Sequence, residues 1–334
     1  MTKKYIILND VHFGVRNGLQ IFMDYQSKVY DYIIDFAIHG GVTDIIILGD
    51  IFDKRKTVDF GVLGFTLSVF ERFRKAGIHI TISLGNHDVY YKDTNRINSP
   101  KMLLSHLPNV TVLEKCCTLE GHSNIGIVPW ICEENSDECF DFIKNNKFDS
   151  LLGHFEISGF VMHKGGITIN HGLKQDIFAH HKNVYSGHYH YKSQIGNISY
   201  LGSQFQFTWA DADDVKYFHI MDGDTGVMRP IEIPFHMFTV LKEVPDDVHA
   251  YEGMQIRIMT NEDVDPETIA ELTDNAHDVK VIRKSKPVED SEDVSEDYDI
   301  TDKLTMAKEY ASTNGLGDKG MEKFVNIFMR ASES

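Results

Sequence analysis

The sequence predicts an α/β fold, a layered sandwich in which two sheets pack face to face with helices outside them. Three observations carry that expectation. Short runs rich in isoleucine and leucine at 5–8, 44–48 and 78–82 look like buried strands. Segments with helical spacing separate them. Further short apolar runs at 125–128, 150–152, 184–185, 198–201 and 217–221 follow with less helix between them, which calls for a second sheet against the first.

Each element has its own signal. Between the first two runs, Tyr25, Val29, Ile33, Phe36 and Ala37 recur at helical spacing, and Gly40-Gly41 supplies a stop. Between the second and third, Asp59 can cap a helix whose inner face carries Val62, Phe65, Val69 and Phe73 and which ends near Gly77. After Pro234 the pattern changes to a strand at 254–259, a short helix at 266–272 and a strand at 279–282, a small α+β module. Seven acids among the eleven residues 289–299 cannot bury enough surface to order themselves and read as a linker. Beyond them Leu304, Ala307 and Ala311, then Met321, Phe324, Val325 and Phe328, keep helical spacing. Those helices either fold back on their own domain or bind a partner through their apolar faces. The expected division is 1–235, 236–285, an acidic linker at 286–300, and a helical element at 301–334.

Composition sets limits. With 334 residues and 42% hydrophobic content a sizeable core is available. No apolar run approaches the roughly 18 residues of a membrane span, and Met1-Thr2-Lys3-Lys4 leads into a strand rather than a signal peptide, so the cytoplasm is expected. Cys116, Cys117, Cys132 and Cys139 form neither a CxxC pair nor a zinc framework and fit reduced thiols. The net charge of −17 is concentrated late: from residue 242 onward 11 basic residues face 23 acidic ones, which leaves −5 for the first 241. That balance neither supports nor excludes a DNA substrate, but it argues against tight non-specific binding by the chain alone.

Five islands of metal-binding side chains lie at or near strand ends: Asp10-Val11-His12, Gly49-Asp50-Ile51-Phe52-Asp53, Gly85-Asn86-His87-Asp88, Gly153-His154 and Gly187-His188-Tyr189-His190. In an open α/β sheet the carboxyl ends of the strands form the functional crevice, so the islands should converge. Mixed carboxylate and imidazole ligands suit divalent ions such as Mn²⁺. Two ions about 3.5–4 Å apart need a bridging carboxylate, for which Asp50 is the candidate, and such a pair is the machinery of a hydrolase acting on phosphoryl groups. Each island alone is weak, since a strand end, a turn or a hydrogen-bonded core histidine would explain it. Their joint occurrence is not so easily explained.

The order DxH, GDxxD, GNHD, H, GHxH resembles the calcineurin-like metallophosphoesterase superfamily, whose fold is an α/β/β/α sandwich. Leu8-Asn9-Asp10-Val11-His12-Phe13-Gly14, Gly49 to Asp53, residues 85–91, Pro129-Trp130-Ile131-Cys132-Glu133-Glu134-Asn135 and Tyr200-Leu201-Gly202-Ser203 narrow the resemblance to the SbcD-type DNA repair exonucleases, nearest their bacteriophage branch. The resemblance implies one ion held by Asp10, His12, Asp50 and His190, and a second by Asp50, Asn86, His154 and His188. It places His87 against the substrate as the catalytic residue that protonates the leaving 3′ oxygen or stabilises the transferring phosphate, with Asp53 or Asp88 orienting it. It further implies a Mn²⁺-dependent double-strand exonuclease and single-strand endonuclease, a homodimer within a heterotetramer with an SMC-like ATPase. The module at 236–285 would cap the site and select DNA, and the helices at 301–334 would grip the ATPase. Arg55 beside Lys54 and Lys56, and Tyr91-Lys92 after Tyr90, border the expected crevice and either bind DNA or form solvated loops. Two rival readings keep the fold: a metal-dependent protein phosphatase or small-molecule phosphodiesterase, and an inactive scaffold. A complete set of ligands speaks against the scaffold.

Overall fold

The computed structural model describes residues 2–282 apart from 163, 165, 167, 213, 246 and 262, so the acidic linker and the helical element at 301–334 lie outside the described residues. One six-stranded sheet has β1 (Lys4–Leu8), β2 (Asp44–Leu48), β3 (His79–Ser83) and β4 (Val110–Leu113) in parallel. Two further strands, β11 (Tyr217–Asp222) and β12 (Met228–Glu232), continue it antiparallel beyond β1. The second sheet runs β5 (Cys117–Leu119), β6 (His122–Val128), β7 (Ser150–Gly153), β8 (Asn183–Ser186), β10 (Ile198–Tyr200) and β9 (Ser193–Ile195), parallel from β6 to β10.

The alternation of side chains along each strand sorts the core into layers. On β1, Ile6 and Leu8 face helices α2 (Gln20–Gly40) and α3 (Phe60–Lys75), while Tyr5 and Ile7 face the second sheet. On β2, Ile45 and Ile47 take the helix side and Ile46 and Leu48 the sheet side. Across the interface stand Ile125, Ile127 and Leu152, whereas Val128 and Leu151 pack outward with Cys139 and Ile143 of α5 (Ser136–Asn145). The result is the α/β/β/α sandwich. Asp59 caps α3 as expected, accepting from the Gly61 N–H at 2.8 Å, and Gly41 ends α2 at φ 62. Two short helical turns, α1 (Val15–Gly18) and α4 (Ser99–Leu103), complete this part.

Past the sandwich, β13 (Phe238–Leu241), β14 (Gln255–Met259) and β15 (Asp278–Ile282) form a parallel three-stranded sheet with α6 (Pro266–Asn275) as its crossover. Val248, Ile256, Ile258, Leu272 and Ala276 give it a small core of its own. The strand β13 carries no signal in the sequence reading, which begins the module at 236 but expects its first strand at 254–259. Among the described residues no helix is long and apolar enough to cross a membrane.

Candidate metal centre

All five islands follow strands whose carboxyl ends point the same way: β1, β2 and β3 of one sheet, β7 and β8 of the other. Sheet geometry therefore gathers Asp10, His12, Asp50, Asn86, His154, His188 and His190. Asp10, His12 and His190 offer ligand atoms within 4.8 Å of one another, and so do Asp50, His154 and His188. The Asp50 carboxylate lies between the groups, with Oδ2 3.7 Å from His12 Nε2 and 3.4 Å from His154 Nε2. Asn86 Oδ1 is 2.9 Å from His154 Nε2 and 3.0 Å from His188 Nδ1, and the Nε2 atoms of His12 and His190 are 3.1 Å apart. Neighbouring ligand atoms about 2.1 Å from a common octahedral ion sit about 3.0 Å apart, so the donor set fits divalent cations in both spacing and chemistry.

The site carries main-chain strain and is held in place by close backbone packing and polar neighbours. Asp10, His12, Asp50 and His188 all adopt left-handed backbone conformations, with φ of 48, 47, 57 and 91. Such conformations are costly for residues with a Cβ and persist only where the surroundings enforce them. At Gly85 a Cβ would lie 2.3 Å from Asp50 Oδ1, so only glycine permits the β2 and β3 loops to approach this closely. His154 Nδ1 donates to the Leu48 carbonyl at 2.8 Å, which turns Nε2 toward Asn86 and Asp50. The His188 main-chain N–H donates to Asp10, whose carboxylate also takes a hydrogen bond from Asn9.

Burial dominates the protonation states. It pushes His188 down to about 3 and lowers His12 and His190, keeping these imidazoles neutral as ligands must be. Burial would raise Asp50, but the imidazoles of His154, His12 and His87 outweigh it and hold its carboxyl well below the usual range. His154 feels the reverse: burial opposes its charge, and the Asp50 carboxylate overrides burial to lift it to about 9.

His87 is half-buried at the edge of this centre, its ring 5.0 Å from that of His12 and its N–H bonded to Asp50 Oδ1 at 2.8 Å. Its orienting groups differ from those expected. His87 Nδ1 donates to the Asp53 main-chain carbonyl at 2.5 Å, while the Asp53 carboxylate lies 3.9 Å from His12 Nδ1. Asp88 does not orient His87. Its buried carboxylate accepts the main-chain N–H groups of Asp50, Ile51 and Gly85 at 2.7–2.8 Å, because in this tight turn consecutive side chains point apart. Burial and the neighbouring Asp50 push Asp88 up to about 7. Tyr91 and Lys92 are exposed and Arg55 is half-buried, on loops that meet where Lys56 lies over the Tyr90 ring.

Several groups behind the centre escape sequence reading. Gln204 is fully buried and exchanges hydrogen bonds with Asn9, accepting its N–H at 3.1 Å and donating to Oδ1 at 3.2 Å. Lys216 donates to the His190 carbonyl at 3.2 Å, to Asp211 at 2.8 Å and to Asp214 at 2.7 Å. Gln206 accepts the N–H groups of Met237 and Phe238 and donates to the Asp211 carbonyl, tying β13 to the same loop. The alternation Gln204-Phe205-Gln206-Phe207 is the one available hint, since amides alternating with aromatics in a glycine-led loop need buried partners.

Exonuclease subunit 1 of Enterobacteria phage T4 is 30% identical to this chain over 321 residues, which cover 92% of this chain and 91% of that protein. Among solved structures, a novel archaeal phosphodiesterase aligns with 69% of this chain and 99% of its own at 10% identity and a TM-score of 0.36. A dimetal phosphatase from Danio rerio aligns over 70% and 97% at 10% identity and a TM-score of 0.40. Nuclease MPE of Pseudomonas putida aligns over 68% and 87% at 16% identity and a TM-score of 0.31. No family model matches the chain. At these TM-scores the sequence relationship alone carries the assignment.

Proposed function

The chain belongs to the SbcD-type exonuclease family of the calcineurin-like metallophosphoesterases, and on that footing we propose that it is the nuclease subunit of a recombination and repair complex. Its activity is Mn²⁺-dependent hydrolysis of DNA phosphodiesters, by exonucleolytic attack on double strands and endonucleolytic attack on single strands. The observation that carries this reading is the Asp50 carboxylate, within 4 Å of an imidazole from each ligand group. Asp10, His12, Asp50 and His190 would hold one ion and Asp50, Asn86, His154 and His188 the other. When bound, the pair supplies an activated water and polarises the phosphoryl oxygens.

The remaining work falls to side chains. His87, fixed through Nδ1 by the Asp53 carbonyl and with its ring 5.0 Å from that of His12, gives its Nε2 proton to the leaving 3′ oxygen as the P–O bond breaks. The Asp53 carboxylate, 3.9 Å from His12 Nδ1, places a negative charge beside that buried imidazole. Arg55, Tyr91 and Lys92 contact flanking DNA. The module at 236–285 caps the site, and the element at 301–334 binds an SMC-like ATPase in a heterotetramer built on a nuclease homodimer. The T4 relative is named as a subunit, which supports a partner, and its phage origin supports the host cytoplasm as the place of action.

The test is cleavage by the purified protein of linear double-stranded and circular single-stranded DNA with Mn²⁺, Mg²⁺ or chelator, beside a phosphopeptide and a small phosphodiester. DNA cleavage that requires the metal and exceeds turnover of the other substrates is expected. Turnover of the phosphopeptide alone would replace the nuclease by a phosphatase. His87→Gln should keep its metal content and lose about 10²–10⁴-fold in cleavage rate.

A further inference from the structure

Beside the metal centre lies a slot that none of these roles uses. Its near wall is Trp130, whose indole is 5.6 Å from the His188 ring and 6.0 Å from the His154 ring, centroid to centroid. The residue follows β6 and is pinned to the end of β3 by its N–H, which donates to the Leu84 carbonyl at 2.8 Å. Its own carbonyl takes a bond from Asn135 at 3.0 Å. Trp130 is only half-buried, and the space next to it, about 110 Å³, is bounded by Ile131, His154, Phe155, Glu156 and Leu173.

The far wall is rigid. Leu173 donates to the Glu156 carbonyl at 2.7 Å, and Gly172 at φ 95 comes so close that a Cβ would lie 2.5 Å from that oxygen. The slot is far smaller than the roughly 300–1,000 Å³ of a pocket enclosing a whole ligand, so its size suits one flat group. Glu156 also lines the slot; one of its carboxylate oxygens lies 3.0 Å from His171 Nε2, and the carboxylate repels phosphate but has the acceptor capacity for a further amine or imide N–H group. A flat apolar face, a rim acceptor and a position beside the phosphate-binding centre together describe a seat for a nucleobase.

We propose that Trp130 is the stacking platform for the base adjoining the scissile phosphate, with Glu156 receiving that base's N–H edge. The proposal rests on the nuclease reading and adds a substrate contact to it. Stacking of a base on an aromatic side chain changes affinity by about 5- to 150-fold.

The experiment compares an oligodeoxyadenylate with an abasic oligonucleotide of equal length, with Mn²⁺, for wild type, Trp130→Leu and Trp130→Phe. Trp130→Leu should raise KM for the base-bearing strand about 5- to 150-fold with kcat and bound Mn²⁺ unchanged, leave KM for the abasic strand at its wild-type value, and be partly rescued by Trp130→Phe. Equal changes on both strands, or none on either, would overturn the platform. So would loss of Mn²⁺ from the Leu and Phe variants alike, which would make the indole a prop for His154 and His188. A wild-type protein that cleaves neither strand overturns the nuclease reading and takes the base seat with it.

Discussion

Replacement of Lys216 by Met removes one charge from behind the metal centre and little else. The ammonium group is buried, and its three acceptors are Asp211, Asp214 and the carbonyl of His190. Methionine keeps most of the aliphatic stem, so the packing that the stem provides is largely retained. Two carboxylates are left without their cation, their side chains only 10% and 13% exposed. Asp211 is the more constrained, because its other oxygen already accepts from Phe207 and Thr208. Burial favours its neutral form, Lys216 outweighs burial, and the carboxyl is held below its ordinary range.

Removing one partner of a buried ion pair typically costs about 3–5 kcal/mol, against about 0–1 kcal/mol for an exposed pair such as Lys3 with Asp44. Lys216→Met should therefore lower the unfolding free energy by about 3–5 kcal/mol, measured by urea titration in chelator so that bound metal does not contribute. The same change frees the His190 carbonyl, so Mn²⁺ titration should show a weakened ion at Asp10, His12 and His190 beside an unaltered one at Asn86, His154 and His188. A variant that unfolds at the wild-type midpoint, or that weakens both ions equally, would refute the idea that this lysine carries the load behind His190.

Asp50→Asn keeps the shape of the side chain and removes the charge shared by the two ligand groups, so both ions should be lost together; calorimetry that finds one site intact would exclude the bridge. His219 makes the fold sensitive to acid. It is 2% exposed on β11, its Nδ1 has no hydrogen-bond partner among the described residues, and burial pushes it down to about 3. An unfolded histidine titrates near 6.5, so the stability of the neutral form is complete above that pH and is lost as pH falls toward the folded value. At pH 5.5 this amounts to about 1.4 kcal/mol. His219→Phe should lose about that much less than wild type between pH 7.5 and 5.5, since the other buried histidines are common to both chains; equal losses would show that His219 protonates freely in the fold.

The layers and the convergence of the carboxylate and imidazole islands were legible because both are written in side chains close in sequence. A run such as Asp44–Leu48 is apolar on both faces, and the polar residues that follow it can only lie at its end. The short strands β9, β12 and β13 were not legible. Three residues such as Ser193–Ile195 have no period of their own and become a strand only by pairing with β10. Gln204 and Lys216 were hidden for a related reason. Whether an amide or an ammonium is buried depends on partners such as Asn9, 195 residues from Gln204, and apart from the Gln-Phe alternation at 204–207 no local pattern announces them.

The misassigned Asp88 shows where side-chain reading reaches its limit. The family resemblance implied a carboxylate partner for the His87 imidazole, Asp53 or Asp88, but the ring bonds a main-chain carbonyl at Asp53, and a carbonyl has no residue identity to read. Asp88 instead gathers three main-chain N–H groups from the turns that present Asp50 and Asn86. Those turns include Asp50 at φ 57, a conformation that costs of order 1–3 kcal/mol in a residue with a Cβ. Hydrogen bonds to a carboxylate contribute about 1.5–3 kcal/mol each, and two of the three hold Asp50 and Ile51 directly, enough to offset the strain. The carboxylate nearest His87 in sequence thus serves the ligand 38 residues before it, by holding Asp50 in the backbone geometry that lets one side chain face both groups of metal ligands.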